Sequence, residues 1–84
     1  MSKEITLYTI SNCPHCNKTR ELLTELVGAN GFKWVFTDRL FGDERNEAMR
    51  RLRAINPDIA FPVTFIGDES VVGYKEDHIR ELLA

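Results

Sequence analysis

The sequence predicts a single α/β domain over residues 1–84, in which helices cover both faces of a four-stranded mixed sheet in the order βαβαββα. Three observations carry that expectation. Short apolar or alternating runs at 5–10, 32–38, 62–66 and 71–72 have the character of strands. Stretches of helical periodicity separate the first two runs from each other and from the last pair. A chain of 84 residues, 43% of them hydrophobic, is long enough to bury one core without staples.

The first strand is Ile5-Thr6-Leu7-Tyr8-Thr9-Ile10, apolar enough to lie in the middle of a sheet. A helix is expected to start at Pro14, because proline suits the first helical position when the residue before it, Cys13, is the N-cap. Cys16, Thr19, Arg20, Leu23, Leu26 and Val27 then share a face, and Gly28 with Asn30-Gly31 stops the helix. In the run 32–38, Phe32, Trp34 and Phe36 alternate with Lys33, Val35 and Thr37. That is a strand with Trp34 and Phe36 in the core. Asp43 is the expected N-cap of a second helix in which Arg45, Ala48, Met49, Leu52 and Ile55 share a face. The arginines at 45, 50, 51 and 53 belong to a solvated face, and Asn56-Pro57 ends the helix. Pro62-Val63-Thr64-Phe65-Ile66 and Val71-Val72, joined through 67–70, form an antiparallel hairpin. A last helix over 75–84 buries Ile79, Leu82 and Leu83, carries Glu76 and Asp77 in its first turn, and leaves His78 in solvent. The first two strands, joined by a helix, are parallel with a right-handed crossover.

Charge and composition narrow the functions. Eleven basic against thirteen acidic residues leave a net charge of −2, which gives no general reason to bind nucleic acid or an anionic membrane. No apolar run approaches the ~20 residues of a spanning helix. Met1-Ser2-Lys3-Glu4 shows no basic region followed by an apolar one, so the expected location is the cytoplasm.

Both cysteines stand in Cys13-Pro14-His15-Cys16, at a strand-to-helix junction. A disulfide across so short a loop removes little unfolded-state entropy, which makes structural stapling a poor explanation. The thiolate is the nucleophile in disulfide exchange, and the junction supplies means of forming it. The free N–H groups of His15 and Cys16 and the positive end of the helix dipole converge on Cys13. His15 adds a charge nearby, and Cys16, at the third helical position, is more covered and suited to resolving a mixed disulfide. A structural zinc site takes about four ligands. Only Cys13, Cys16, His15 and His78 are available, with His15 caught between the cysteines. A c-type haem needs histidine directly after Cys16, where Asn17 stands. No metal site is expected.

Cys13-Pro14-His15-Cys16, Phe61-Pro62-Val63 and Val72-Gly73-Tyr74-Lys75-Glu76-Asp77 together resemble the glutaredoxins and glutaredoxin-like redoxins over essentially the whole chain. The resemblance implies a thioredoxin-like fold and a dithiol–disulfide oxidoreductase of cell redox homeostasis and electron transport. In it Cys13 attacks and Cys16 resolves, tuned by Pro14 and His15. It implies that Pro62 follows a cis bond and faces the disulfide, and that the backbone of Phe61 is offered to the substrate. Gly73, Tyr74 and Asp77 are implied as further substrate or glutathione contacts.

The implied partners are disulfide-containing proteins, with glutathione or thioredoxin reductase as electron donor. The protein is expected to act as a monomer with no tightly bound cofactor, glutathione serving at most as co-substrate. Some members instead hold an iron–sulfur cluster between two protomers, so a glutathione-dependent cluster carrier using the same thiolates is the alternative. Glutathione-using members often carry lysine where this chain has Ile10, and a Gly-Gly pair whose first glycine is here Val72. The tail is more similar to redoxins that serve ribonucleotide reductase and draw on thioredoxin reductase.

Overall fold

The computed structural model describes residues 4–84; the reading of the N-terminus falls largely on residues 1–3, outside the described residues. Strand β1 (Ile5–Thr9) leads into helix α1 (Pro14–Val27), then strand β2 (Lys33–Phe36) and helix α2 (Gly42–Ile55). Strands β3 (Val63–Ile66) and β4 (Glu69–Val72) form the hairpin, and helix α3 (Glu76–Leu83) closes the chain. The sheet runs β2-β1-β3-β4, with β1 parallel to β2 and antiparallel to β3.

Period-two alternation sorts the side chains into two layers. Ile5, Leu7, Ile66 and Val71 meet Leu22 and Leu23 of α1 and Ile79 of α3 on one face. On the other, Tyr8 and Val63 meet Ala48 and Leu52 of α2. All five residues of β1 are buried, because this strand is covered on both faces and flanked on both edges. The expected layered architecture is therefore present, with Cys13 just past the C-terminal end of the central strand.

Several elements differ in detail from the sequence reading. Strand β2 stops at Phe36, and Thr37–Arg39 form a 3-10 turn. Trp34 is 41% exposed instead of core, because β2 lies at the edge of the sheet, where alternation does not guarantee cover. In α1 the second buried leucine is Leu22, while Arg20 is only half-buried. Helix α2 starts before Asp43: Phe41 is the N-cap in extended conformation, with no side-chain cap. Asp43 and Glu44 instead lie in the first turn, where they favour the positive end of the helix.

Arg45 and Ile55 are exposed, and the inner face of α2 narrows to Ala48 and Leu52 with Met49 alongside. Arg51 is not merely solvated. Its guanidinium lies 4.2 Å from the Phe65 ring centre and donates to the Tyr8 hydroxyl at 3.1 Å. The hairpin turn is the two residues Gly67-Asp68, so Glu69 and Ser70 belong to β4.

Candidate functional site

The chain leaves β1 through Ile10 and Ser11, and Asn12 takes a left-handed conformation at φ +57°. Asparagine tolerates that region better than most residues. The turn delivers Cys13 in extended conformation as the N-cap of α1, with Pro14 at the first helical position. The Cys16 backbone N–H donates to the Cys13 sulfur at 3.2 Å. That amide is one of the donors a helix start leaves without an intrahelical acceptor. The matching bond from His15 is not made among the described residues.

Cys13 and Cys16 are joined as a disulfide, their Cα atoms 5.2 Å apart. Their exposures differ. Cys16 is 2% exposed, held under the first turn of α1, whereas Cys13 is half-buried and reachable from solvent.

The turn is braced from across the sheet. The Ser11 backbone N–H lies 3.3 Å from each carboxylate oxygen of Asp38 in the 3-10 turn after β2. Hydrogen bonds from Ser11, its side chain first and its backbone second, hold the Asp38 carboxyl below its ordinary range. Sequence reading missed Asp38 because 27 residues separate the partners and no local pattern links them.

On the other side of β1 a hollow of about 300 Å³ gathers His15, Phe61, Pro62, Val72, Gly73, Tyr74 and Lys75. Phe61–Pro62 is a cis peptide. The hollow is pinned by the Gly73 N–H, which donates to the Pro62 carbonyl at 2.7 Å and so ties the end of β4 to the start of β3. Gly73 has φ +87°, a conformation that disfavours any side chain although the space around it is open.

Tyr74 is half-buried, and its hydroxyl donates to Glu76 at 3.2 Å. Desolvation, followed by the Glu76 charge, pushes its phenol upward. Arg80 in turn donates to Glu76 at 2.9 Å and to Glu25 of α1 at 3.2 Å, linking the wall of the hollow to the cysteine-bearing helix.

Five of the residues named from the sequence thus line one hollow: His15, Phe61, Pro62, Gly73 and Tyr74. Pro14 is exposed on the first turn of α1. Asp77 does not line this hollow; it borders a separate depression with Lys75, Glu76 and His78. Its position in the first turn of α3, one residue past Glu76, carries its side chain to that neighbouring surface. Val72 and Lys75, part of the motif Val72-Gly73-Tyr74-Lys75-Glu76-Asp77, also line the hollow. No group of three or more His, Cys, Asp or Glu able to hold a metal occurs among the described residues. No helix there is long and apolar enough to cross a membrane.

Comparison with known proteins agrees with this geometry. A search of curated proteins found no match. Among solved structures, the glutaredoxin from Methanosarcina mazei Go1 is 42% identical with a TM-score of 0.85, covering 96% of this chain and 78% of that one. Methanosarcina acetivorans methanoredoxin is 38% identical with a TM-score of 0.84, covering 96% and 84%. The glutaredoxin-like NrdH-redoxin from Escherichia coli, described as having a thioredoxin-like activity profile, is 33% identical with a TM-score of 0.72 over 94% and 93%. The fold is thioredoxin-like, and the cysteine pair is that of a glutaredoxin-like redox protein. The family model for glutaredoxin matches residues 5–71, and with it the strand, the cysteine-bearing helix start and the hairpin: the chain belongs to the glutaredoxin family.

Proposed function

We propose that the protein is a dithiol–disulfide oxidoreductase that reduces protein disulfides or glutathione-mixed disulfides through Cys13. The observation that carries this is the asymmetry of the pair: an accessible Cys13 sulfur at the helix N-terminus, bonded to the Cys16 amide, with a buried Cys16 behind it.

In the reduced protein the Cys13 thiolate attacks one sulfur of the substrate disulfide. The substrate S–S bond breaks, a Cys13–substrate disulfide forms, and the first substrate thiolate leaves and takes a proton. Cys16, as thiolate, then attacks the Cys13 sulfur. The mixed disulfide breaks, the second substrate thiol is released, and the protein is left with the Cys13–Cys16 bond. Two electrons have passed from the cysteine pair to the substrate. The helix N-terminus and the Cys16 N–H stabilise the thiolate at the nucleophile and at the second departure. The hollow at Phe61, Pro62, Gly73 and Tyr74 seats the substrate chain, and the backbone of Phe61 offers it hydrogen bonds. Pro14 and His15 tune the thiolate.

The oxidised pair is then reduced by glutathione or by a thioredoxin reductase, and the second donor is the better supported. Asp77, the carboxylate suited to a glutathione amine, lies outside the hollow. Ile10 stands where glutathione-using members often have lysine. The NrdH-redoxin relative carries a thioredoxin-like activity profile by its description. The protein works as a cytoplasmic monomer with no tightly bound cofactor.

The test supplies one disulfide substrate with two reducing systems, glutathione with its reductase and thioredoxin reductase with NADPH. Faster turnover with thioredoxin reductase is expected. Turnover with neither refutes the oxidoreductase reading, and preference for glutathione reassigns the donor alone.

A further inference from the structure

The flank of the disulfide opposite the hollow carries a cationic aromatic surface that the reaction scheme leaves unused. In β2, Trp34 pairs with Leu7 and Phe36 with Thr9, so both rings lie on the face that α1 covers over β1. Their ring centres are 4.6 Å apart. The Trp34 indole is fixed by donating to the Thr9 hydroxyl at 2.9 Å, and that hydroxyl donates to the Val35 carbonyl at 3.0 Å.

Arg20 of α1 stacks over Trp34 at 4.9 Å, and Arg39 over Phe36 at 4.5 Å. Stacking of this kind holds a guanidinium in place while leaving its edge free to donate. Phe41, two residues after Arg39 in sequence and the N-cap of α2, is 84% exposed. The outer edge of β2 carries no further strand among the described residues.

The charges on this flank lack a direct ion pair. Among the described residues neither Arg20 nor Arg39 has a carboxylate within ion-pair reach; Asp38 feels the Arg39 charge only at longer range, and its hydrogen bonds come from Ser11. The Arg20 Nε is buried with no acceptor. That nitrogen is covered by the protein itself, so a partner's carboxylate would meet the outer nitrogens of this guanidinium. The location is also specific. Phe36 lies opposite Thr9, four residues before Cys13, and the turn holding Arg39 braces the Cys13 loop through Asp38.

From this we propose that Arg20, Trp34, Phe36, Arg39 and Phe41 form a docking surface for an acidic segment of the protein whose disulfide is reduced. The client chain lies in the hollow on one side of Cys13 and sets carboxylates on the two guanidiniums on the other. This rests on the oxidoreductase reading and names a substrate class for it: disulfides flanked by aspartate, glutamate and apolar residues.

The test uses three synthetic peptides with one common disulfide, flanked by glutamates, serines or lysines, together with the small neutral disulfide of 2-mercaptoethanol. The full-length protein should favour the acidic over the basic peptide by about tenfold in kcat/KM at low salt, through KM, and the preference should shrink as salt rises. In the R20Q/R39Q variant the preference should fall to about twofold or less, with the small disulfide reduced as before. The R20K/R39K variant, which keeps the charge, should retain most of it. Equal use of the three peptides by the wild type, or a preference that survives in R20Q/R39Q, overturns the proposal. So does a single-stranded oligonucleotide that binds the wild type and not R20Q/R39Q in the absence of any acidic preference. Failure of the wild type to reduce the small disulfide strikes the oxidoreductase reading instead.

Discussion

Removing the Cys16 thiol tests the division of labour at its sharpest. Cys16→Ser keeps the backbone N–H that bonds the Cys13 sulfur and nearly the same volume, so attack by Cys13 should survive while resolution fails. The structure sets the size of the effect. The two sulfurs already bond across a Cα separation of 5.2 Å, inside the normal range for disulfides, so on the proposed scheme resolution in the wild type is a positioned intramolecular step. Well-oriented intramolecular reactions reach effective concentrations of about 10⁵ M or more, against about 10⁻³ M for an added monothiol. Even with most of that advantage lost to imperfect alignment, release of the second substrate thiol should slow by at least about a thousandfold.

The assay mixes the reduced variant with a disulfide-containing protein and follows the covalent adduct by non-reducing electrophoresis and mass spectrometry. An adduct through Cys13 should accumulate with Cys16→Ser, be transient with the wild type and be missing with Cys13→Ser. Undiminished turnover of the protein disulfide by Cys16→Ser, or any turnover by Cys13→Ser, refutes the assignment. The variant places a hydroxyl in a site only 2% exposed, so Cys16→Ala, with no polar group to bury, serves as a control for folding.

Three further outcomes follow from the same geometry. The Cys16 amide and the helix N-terminus favour the Cys13 thiolate, so alkylation of the reduced protein by iodoacetamide should reach half its maximal rate below the ~8.5 of a free thiol; a midpoint at or above that value contradicts the thiolate argument. Stabilising the thiolate stabilises the reduced state, so the potential measured against a glutathione buffer should lie above thioredoxin's ~−270 mV, and a value at or below it removes the inference. The Asp38 and Glu76 carboxyls are both held low, by Ser11 and by Arg80 with Tyr74. Their stabilisation is complete above the unfolded values of ~3.9 and ~4.3 and is lost as pH falls through the folded ones. Thermal melts of Asp38→Asn should therefore lose less on going from pH 5 to pH 3 than those of the wild type, and parallel acid limbs count against the Asp38–Ser11 brace.

Much of the strand and helix that flank the cysteine pair was legible because the signals are local. Proline at the first helical position, cysteine as N-cap and a glycine stop act within a turn of the residues they organise, and Pro14–Val27 forms as they specify. The apolar run of β1 likewise announced a strand covered on both sides. The hairpin was legible in existence but not in length, since Glu69 and Ser70 continue the ladder in spite of their polarity. The match of Phe61-Pro62-Val63 and Gly73-Tyr74 to the family's pattern named residues that the tertiary structure gathers around one hollow.

What only the tertiary structure decided was set by partners far apart in sequence. The position of β2 at the sheet edge left Trp34 half in solvent, though its alternation with Lys33 and Val35 is indistinguishable from that of a covered strand. Asp38 became a brace for the Cys13 turn because the parallel pairing of β1 and β2 sets Phe36 beside Thr9 and so brings the two following loops together. Asp77 left the hollow because the last helix begins at Glu76 and turns that carboxylate onto a neighbouring surface. Sequence alone determined which cysteine caps the helix, because an N-cap is defined by its nearest neighbours. Which side chains surround it depended on the order of strands, a property of the folded sheet and of no single stretch of chain.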